Sequence, residues 1–341
     1  MANRDALQRR LREPYRLGMW LDFRPDPGTP ATAVLYGECL ELGTRADELG
    51  YSLILASEHH GSDDDYLPTP LLSLAAIAAR TTRALLGPGV GLAPLWPPRI
   101  LAEELTVLDL ISGGRAIAGL AVGYADFDFQ ALGVDRSGRG RDLDLRLDEL
   151  ERAWKAKSVL ADGRPLAPRA EQADGPAIML GGDADAALRR VAQRADVFFG
   201  DANYDYRDIV PKWERLAAIA GDGEPPLLVL GTHLWVCDND ELWERELAPS
   251  IAYQLSRYYQ WRFDEEERPT EIIEPGSLER EKFLVGPPDQ LIRQLEELFT
   301  HAPIDCLCAW GRPPGVSHES AILNAERLAK EVMPSVASDL A

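Results

Sequence analysis

The chain has 341 residues, 45% hydrophobic and 27% charged, and its 36 basic against 56 acidic residues leave a formal net charge of −20. A field of that sign repels phosphate backbones and argues against nucleic-acid binding. No eighteen-residue apolar run is available to cross a membrane, and the first ten residues are too polar for a signal peptide, so the chain is read as cytoplasmic.

Residues 1–14 read as a charged leader, helical or frayed. Arg16 to Phe23 is the first strand candidate. A proline- and glycine-rich loop follows it, then an apolar-periodic helix over 31–49 that stops at Gly50. Leu53 to Ala56 is a short apolar run without helical period, the mark of a strand buried on both faces. It ends on Glu58, His59 and His60. Ionisable side chains at the carboxyl end of a buried strand stand where α/β barrels keep their chemistry.

Asp63, Asp64 and Asp65 come next, without the ligand spacing of a calcium loop, and read as a solvated loop. Thr69, as N-cap, and Pro70 open a helix to Arg80. Leu85 to Pro94 is a strand running into a glycine-rich turn. That turn is not a dinucleotide fingerprint, because Pro94, Pro97 and Pro98 stand where the helix would open. Its glycines suit close backbone approach to a flat ligand.

A helix over 98–111 carries Ile100, Leu101, Leu105, Leu108 and Ile111 as one stripe. Ser112 to Arg115 closes it. The strand 116–123 follows, whose small residues leave room beside it, and Tyr124, Phe127 and Phe129 lie in the next loop. A charged helix over 138–154 and a linker over 162–176 lead to a strand at 177–180. Gly181, Gly182 and Asp183 then form a strand-to-helix turn, read as an ordinary helix start with Asp183 as N-cap, although its free amides could hold a phosphate.

Later strands are expected at 195–199, 227–236 and 304–309, with helices at 209–220, 287–300 and 319–332. Residues 241–276 read as an insertion whose aromatics cover a substrate, pack an interface or fill core. Cys306 and Cys308 share one strand face and read as core rather than metal ligands. The alternating elements amount to eight strands, a single (β/α)8 TIM barrel over 1–341 of class α/β with an insertion in its C-terminal half.

Ser57 to His60, Pro70 to Thr81, Gly87 to Ala93 and Leu101 to Arg115 together resemble the bacterial luciferase family of flavin-dependent oxidoreductases. The likeness is dense over 51–150 and looser over 177–200. The run Leu-Asp-x-x-Ser-Gly-Gly-Arg with an upstream Glu-His-His is its specific part. The resemblance implies a (β/α)8 barrel with reduced FMN at the strands' carboxyl ends, a separate flavin reductase, O2 and a small-molecule substrate. It matches His59 to the histidine beside the flavin as oxygen reacts, with Glu58 and His60 adjoining. An imidazole suits that task because it exchanges protons near neutrality.

The resemblance also aligns Gly89 and Val90, followed by Gly91, with a non-prolyl cis peptide behind the flavin ring. It places Ala121, Val122 and Gly123, and Gly181, Gly182 and Asp183, around the cofactor. Two departures stand out: Ala121 and Val122 replace an arginine, and Asp183 replaces a serine or threonine. Both remove phosphate affinity, so that the cofactor binds weakly, differs, or finds its cation elsewhere, at Arg189 or Arg190 for example. The alternatives are a deazaflavin-dependent hydride-transfer enzyme, whose acidic cofactor tail fits poorly with the net charge, and a flavin-binding relative without turnover. The apolar helices at 69–80 and 98–112 imply a homodimer or heterodimer.

Overall fold

Short apolar runs separated by amphipathic helices fold into a parallel barrel, because only burial on both faces satisfies such strands. The computed structural model describes residues 4–154 and 163–338. Its strands are β1 Leu17–Leu21, β2 Leu53–Ala56, β3 Leu85–Pro88, β4 Gly91–Leu92, β5 Ile117–Ala121, β6 Ala177–Gly181, β7 Val197–Asp201, β8 Leu227–Thr232, β9 Leu234–Val236, β10 Leu284–Gly286 and β11 Ile304–Trp310. Nine of them form one parallel sheet in the order β3-β2-β1-β11-β8-β7-β6-β5-β4.

β3 and β4 are two pieces of one barrel position, separated only by Gly89 and Val90. β3 pairs with β2 and β4 with β5, and a parallel bridge from Leu86 to Ala116 joins the two ends of the sheet. The sheet therefore closes as the (β/α)8 barrel that the sequence implies. At this seam Gly87 and Gly119 are obligatory. An added Cβ would lie 2.2 Å from the Ile117 carbonyl oxygen or 1.9 Å from that of Pro88. The small residues of β5 thus bring backbones together, rather than leaving room beside the strand as the sequence suggested.

Alternate strand residues fill the barrel, among them Trp20, Leu55, Ile117, Met179, Phe199, Val229, Cys306 and Cys308. The cysteines are buried core, both 3.2 Å from where a Cβ on Gly18 would sit. The charged leader is the helix Arg4–Arg12, whose Leu7 and Leu11 close the amino-terminal end of the barrel interior. Burying a leucine contributes about 1.5–3 kcal/mol.

Several local expectations give way. Thr69 makes no side-chain cap, and the helix Asp185–Arg194 starts after Ala184, so Asp183 is not its N-cap. In the helix Pro98–Ser112, Leu101, Leu105 and Leu108 are buried but Ile100 and Ile111 are exposed. The 227–236 run breaks at His233: β8 stays in the barrel, while β9 leaves it and pairs with β10. Between β9 and β10 runs the helix Ala248–Gln260. Asp162, the start of the expected linker, lies outside the described residues. Arg115, the last residue of the Ser-Gly-Gly-Arg run, turns inward and donates to the carbonyls of Ser112, Ala84, Ala78 and Thr81, locking two helices to β3.

Candidate active site

The carboxyl end of β2 carries three ionisable side chains, and each takes a different direction. Glu58 turns inward with its side chain fully buried. It accepts from the Leu92 N–H at 2.7 Å, the Trp96 indole at 2.9 Å and His60 Nε2 at 2.7 Å. Together with the Ser57 hydroxyl, which donates to the Gly89 carbonyl at 3.2 Å, it ties β2 to the turn between β3 and β4. His60 is half-buried. Burial opposes its protonation, but the Glu58 hydrogen bond and the charges of Glu58 and Asp128 outweigh it and raise its pKa.

His59 points the other way, and Asp128 holds it. That aspartate is fully buried on the helix Asp126–Leu132. It sits 2.9 Å from His59 Nδ1 and accepts the His60 backbone N–H at 2.6 Å. A carboxylate only accepts, so Nδ1 carries a proton, and Nε2 is the ring position turned away from Asp128. Nε2 has no hydrogen-bond partner among the described residues. Four rings surround the imidazole: Tyr66 and Trp261 at 4.8 Å between centroids, Tyr124 at 5.7 Å and Phe127 at 5.9 Å.

The roof over this histidine comes from the predicted insertion. Tyr258 and Trp261 reach in from the helix Ala248–Gln260 and its end, so those aromatics cover the barrel mouth. Beneath them a fully buried ion pair stands at the end of β1. Arg24 bonds Asp22 through Nε at 2.8 Å, with its guanidinium 4.6 Å from the Tyr66 ring and 5.2 Å from the Tyr258 ring. A pair buried this deeply sets geometry more than it adds stability. Asp64 joins it, 3.3 Å from Arg24 and 3.3 Å from the Tyr253 hydroxyl. With a side chain only 6% exposed, Asp64 departs from the solvated loop expected of the acid triplet.

His233, at the end of β8, is fully buried between Phe283 and Trp310, and among the described residues neither ring nitrogen has a partner. Burial, reinforced by the charge of Arg24, pushes its pKa down to about 3. The ring is therefore neutral, with one donor and one acceptor that are both buried.

The remaining predicted residues follow along the same, carboxyl end of the barrel. The Gly89–Val90 peptide is cis, and Gly89 has no room for a side chain, since a Cβ would lie 2.6 Å from that of Leu55. Gly181 stands next to Val90, and Ala121 lies beside Leu92 in register. Val122 is half-buried, and Gly123, at φ +74°, backs onto Phe129. Asp183 lies 2.8 Å from Lys212 Nζ, which also donates to the Asp201 carbonyl at 2.6 Å. Burial opposes the charge on Lys212, but Asp201 and Asp183 outweigh it and raise its pKa. Arg190 is engaged with Asp144 at 2.5 Å and 3.0 Å, so the cations at this turn are Lys212 and Arg215, which donates to the Asp183 carbonyl at 3.2 Å.

The sequence model of the luciferase-like monooxygenases matches residues 15–306. The chain belongs to that family. Over 333 residues it is 26% identical to the oxygenase component of the flavin-dependent trigonelline monooxygenase of Acinetobacter baylyi, covering 88% of this chain and 90% of that one. Two solved structures share the fold. One is the oxygenating constituent of the Pseudomonas putida 3,6-diketocamphane monooxygenase in complex with FMN, at TM-score 0.75 and 17% identity, covering 94% of this chain and 98% of that one. The other is the coenzyme F420-dependent tetrahydromethanopterin reductase of Methanopyrus kandleri, at TM-score 0.64 and 20% identity, covering 94% and 99%.

Within this luciferase-like barrel, Glu58, His59 and His60 stand on the same rim as the Gly89–Val90 turn. Glu58 touches that turn, while His59 faces away from it toward the aromatic roof. Sequence reasoning missed Asp128, Lys212 and His233. The first sits in the run Asp126-Phe-Asp-Phe129, where one acid between aromatics on a short helix signals a carboxylate turned inward. Lys212 and His233 carry no such local mark. Among the described residues no helix is long and apolar enough to cross a membrane.

Proposed function

We propose that the chain is the oxygenase component of a two-component flavin monooxygenase, taking reduced FMN from a separate reductase and using O2 to oxidise a small organic substrate. The observation that carries this reading is His59: fixed by a buried carboxylate through Nδ1, free at Nε2, and enclosed by four aromatic rings.

The rim fits the cofactor. Val90, Ala121, Gly181 and Gly182 offer small or apolar surface to a flat ring, and the lack of a Cβ at Gly89 lets that turn lie close against Leu55. Lys212 supplies the cation for the phosphate at the Asp183 turn, where Asp183 replaces the family's serine or threonine. Bound reduced FMN supplies the electrons that activate oxygen. The chain's own residues do the rest. Asp128 fixes the His59 tautomer and ring plane, His59 Nε2 takes or returns a proton at the reacting edge, and Tyr66, Phe127 and Trp261 keep water from it.

The test mixes purified protein with photoreduced FMN, oxygen and candidate substrates, and follows both product and peroxide. His59→Ala should lower product by about 10²–10⁴-fold with flavin binding retained. His60→Ala should do less, because its Nε2 is bonded to Glu58. Full coupled turnover by His59→Ala would overturn the proton role. The F420-dependent neighbour keeps a deazaflavin as the second reading, and titration with each reduced cofactor separates the two. A protein that binds reduced FMN yet consumes no oxygen would be the relative without turnover.

A further inference from the structure

Beside His59 the structure contains a cavity of about 480 Å3, a volume ordinary for small-molecule sites. Phe127 and Trp261 form two of its walls, and both rings also touch the His59 imidazole. Three charged side chains line it: Asp63, Asp126 and Arg268. The two carboxylates already have partners, Asp63 in Arg257 and Asp126 in Arg136 at 3.6 Å.

Arg268 has none. Among the described residues no carboxylate lies within ion-pair distance of it, its Nε is buried without a hydrogen bond, and its nearest marked neighbour is the Phe127 ring, 5.8 Å from the guanidinium carbon. A guanidinium is a planar fork that matches an anion through two parallel hydrogen bonds.

We infer that this cavity is the substrate subsite and that it takes a planar aromatic carboxylate: the carboxylate on Arg268 and the ring laid against the wall that Phe127 and Trp261, 5.4 Å apart in edge contact, form next to His59. This rests on the proposed oxygenase function and names its substrate class. The same anion chemistry is offered by a flavin phosphate, so the test separates the two sources.

The full chain is titrated calorimetrically with benzoate, with benzamide as its uncharged isostere, and with FMN and riboflavin. Benzoate should bind roughly tenfold more tightly than benzamide, in keeping with a charge-assisted bidentate pair. Arg268→Gln should erase that preference and leave benzamide unchanged, while Arg268→Lys keeps part of it. Equal affinity for the two, a preference that survives Arg268→Gln, or no benzoate binding at millimolar concentration overturns the assignment. If Arg268→Gln instead weakens FMN relative to riboflavin and spares the benzoate ratio, the anion is the cofactor's phosphate and the substrate subsite falls. These titrations require neither reduced flavin nor oxygen, so they can fail while FMN-dependent oxygenation stands, or succeed while it fails.

Discussion

Two histidines at the barrel mouth have pKa values moved in opposite senses, one up and one down. His233 resists protonation in the folded state down to about pH 3, whereas an unfolded histidine titrates near pH 6.5. Its contribution is therefore complete above pH 6.5 and is lost as pH falls toward 3, because only the unfolded chain takes up the proton in that window. His60 works in the other sense: with its pKa raised, its contribution is present below 6.5 and fades as pH rises through its folded value. The difference between wild type and His233→Phe in chemical-denaturation midpoints should thus open on the acid side of pH 6.5, reaching a few kcal/mol. A difference curve flat from pH 7 to 4 would mean that His233 finds a proton acceptor. Asp128→Asn tests His59. His59 bonds Oδ2 and the His60 N–H bonds Oδ1, and an asparagine offers an acceptor at only one of those two positions, so the ring loses its fixed tautomer. Product should drop about 10²-fold with peroxide release rising and flavin affinity unmoved. Unchanged coupling would leave Asp128 a packing residue only.

At the level of elements, the site is a junction between the end of β2 and the turn separating β3 from β4, and Gly89 is where they press hardest. Gly89→Ala places a methyl 2.6 Å from the Leu55 Cβ and 2.9 Å from its Cδ1, against a backbone with no free direction. The substitution should cost about 1–3 kcal/mol, read as a lowered denaturation midpoint, as overpacking does elsewhere. An unchanged midpoint would show that the turn yields. This junction was legible in sequence, since a buried apolar run, Glu58 to His60 and the glycine-rich turn are contiguous signals. Periodicity also located most helices and barrel strands to within a few residues. What escaped were contacts across long separations. Asp128 reaches back 69 residues to His59, and Lys212 reaches Asp183 from another helix. Ile100 and Ile111 look like core by spacing, yet the face that turns inward is decided by what the helix packs on, which spacing cannot specify. The 227–236 run reads as one strand because every residue is apolar or neutral; only the pairing with a segment fifty residues on splits it at His233.

For the whole molecule, the misplaced isoleucines become the argument for a second subunit. Ile100, Val107, Leu110 and Ile111 are 39–46% exposed on the helix Pro98–Ser112, and Leu72 is 72% exposed on the neighbouring helix Pro70–Ala78. Scattered exposed apolar residues need no explanation, but five on two packed helices form a patch of the kind that marks a subunit interface. A self-complementary patch pairs most simply about a two-fold axis. Each subunit carries −20, so mutual repulsion opposes pairing, and screening it should favour the dimer. We expect sedimentation equilibrium to give a dimer at micromolar concentration whose dissociation constant falls as salt rises from low to physiological levels. Val107→Asp with Leu110→Glu should yield a monomer with an unchanged far-ultraviolet dichroism spectrum, since both side chains already face solvent in the single chain. A wild-type monomer across that range, or a dimer that the double substitution leaves intact, would place the interface elsewhere or remove it. A dimer that salt weakens would mean that ion pairs rather than this apolar face hold the subunits together.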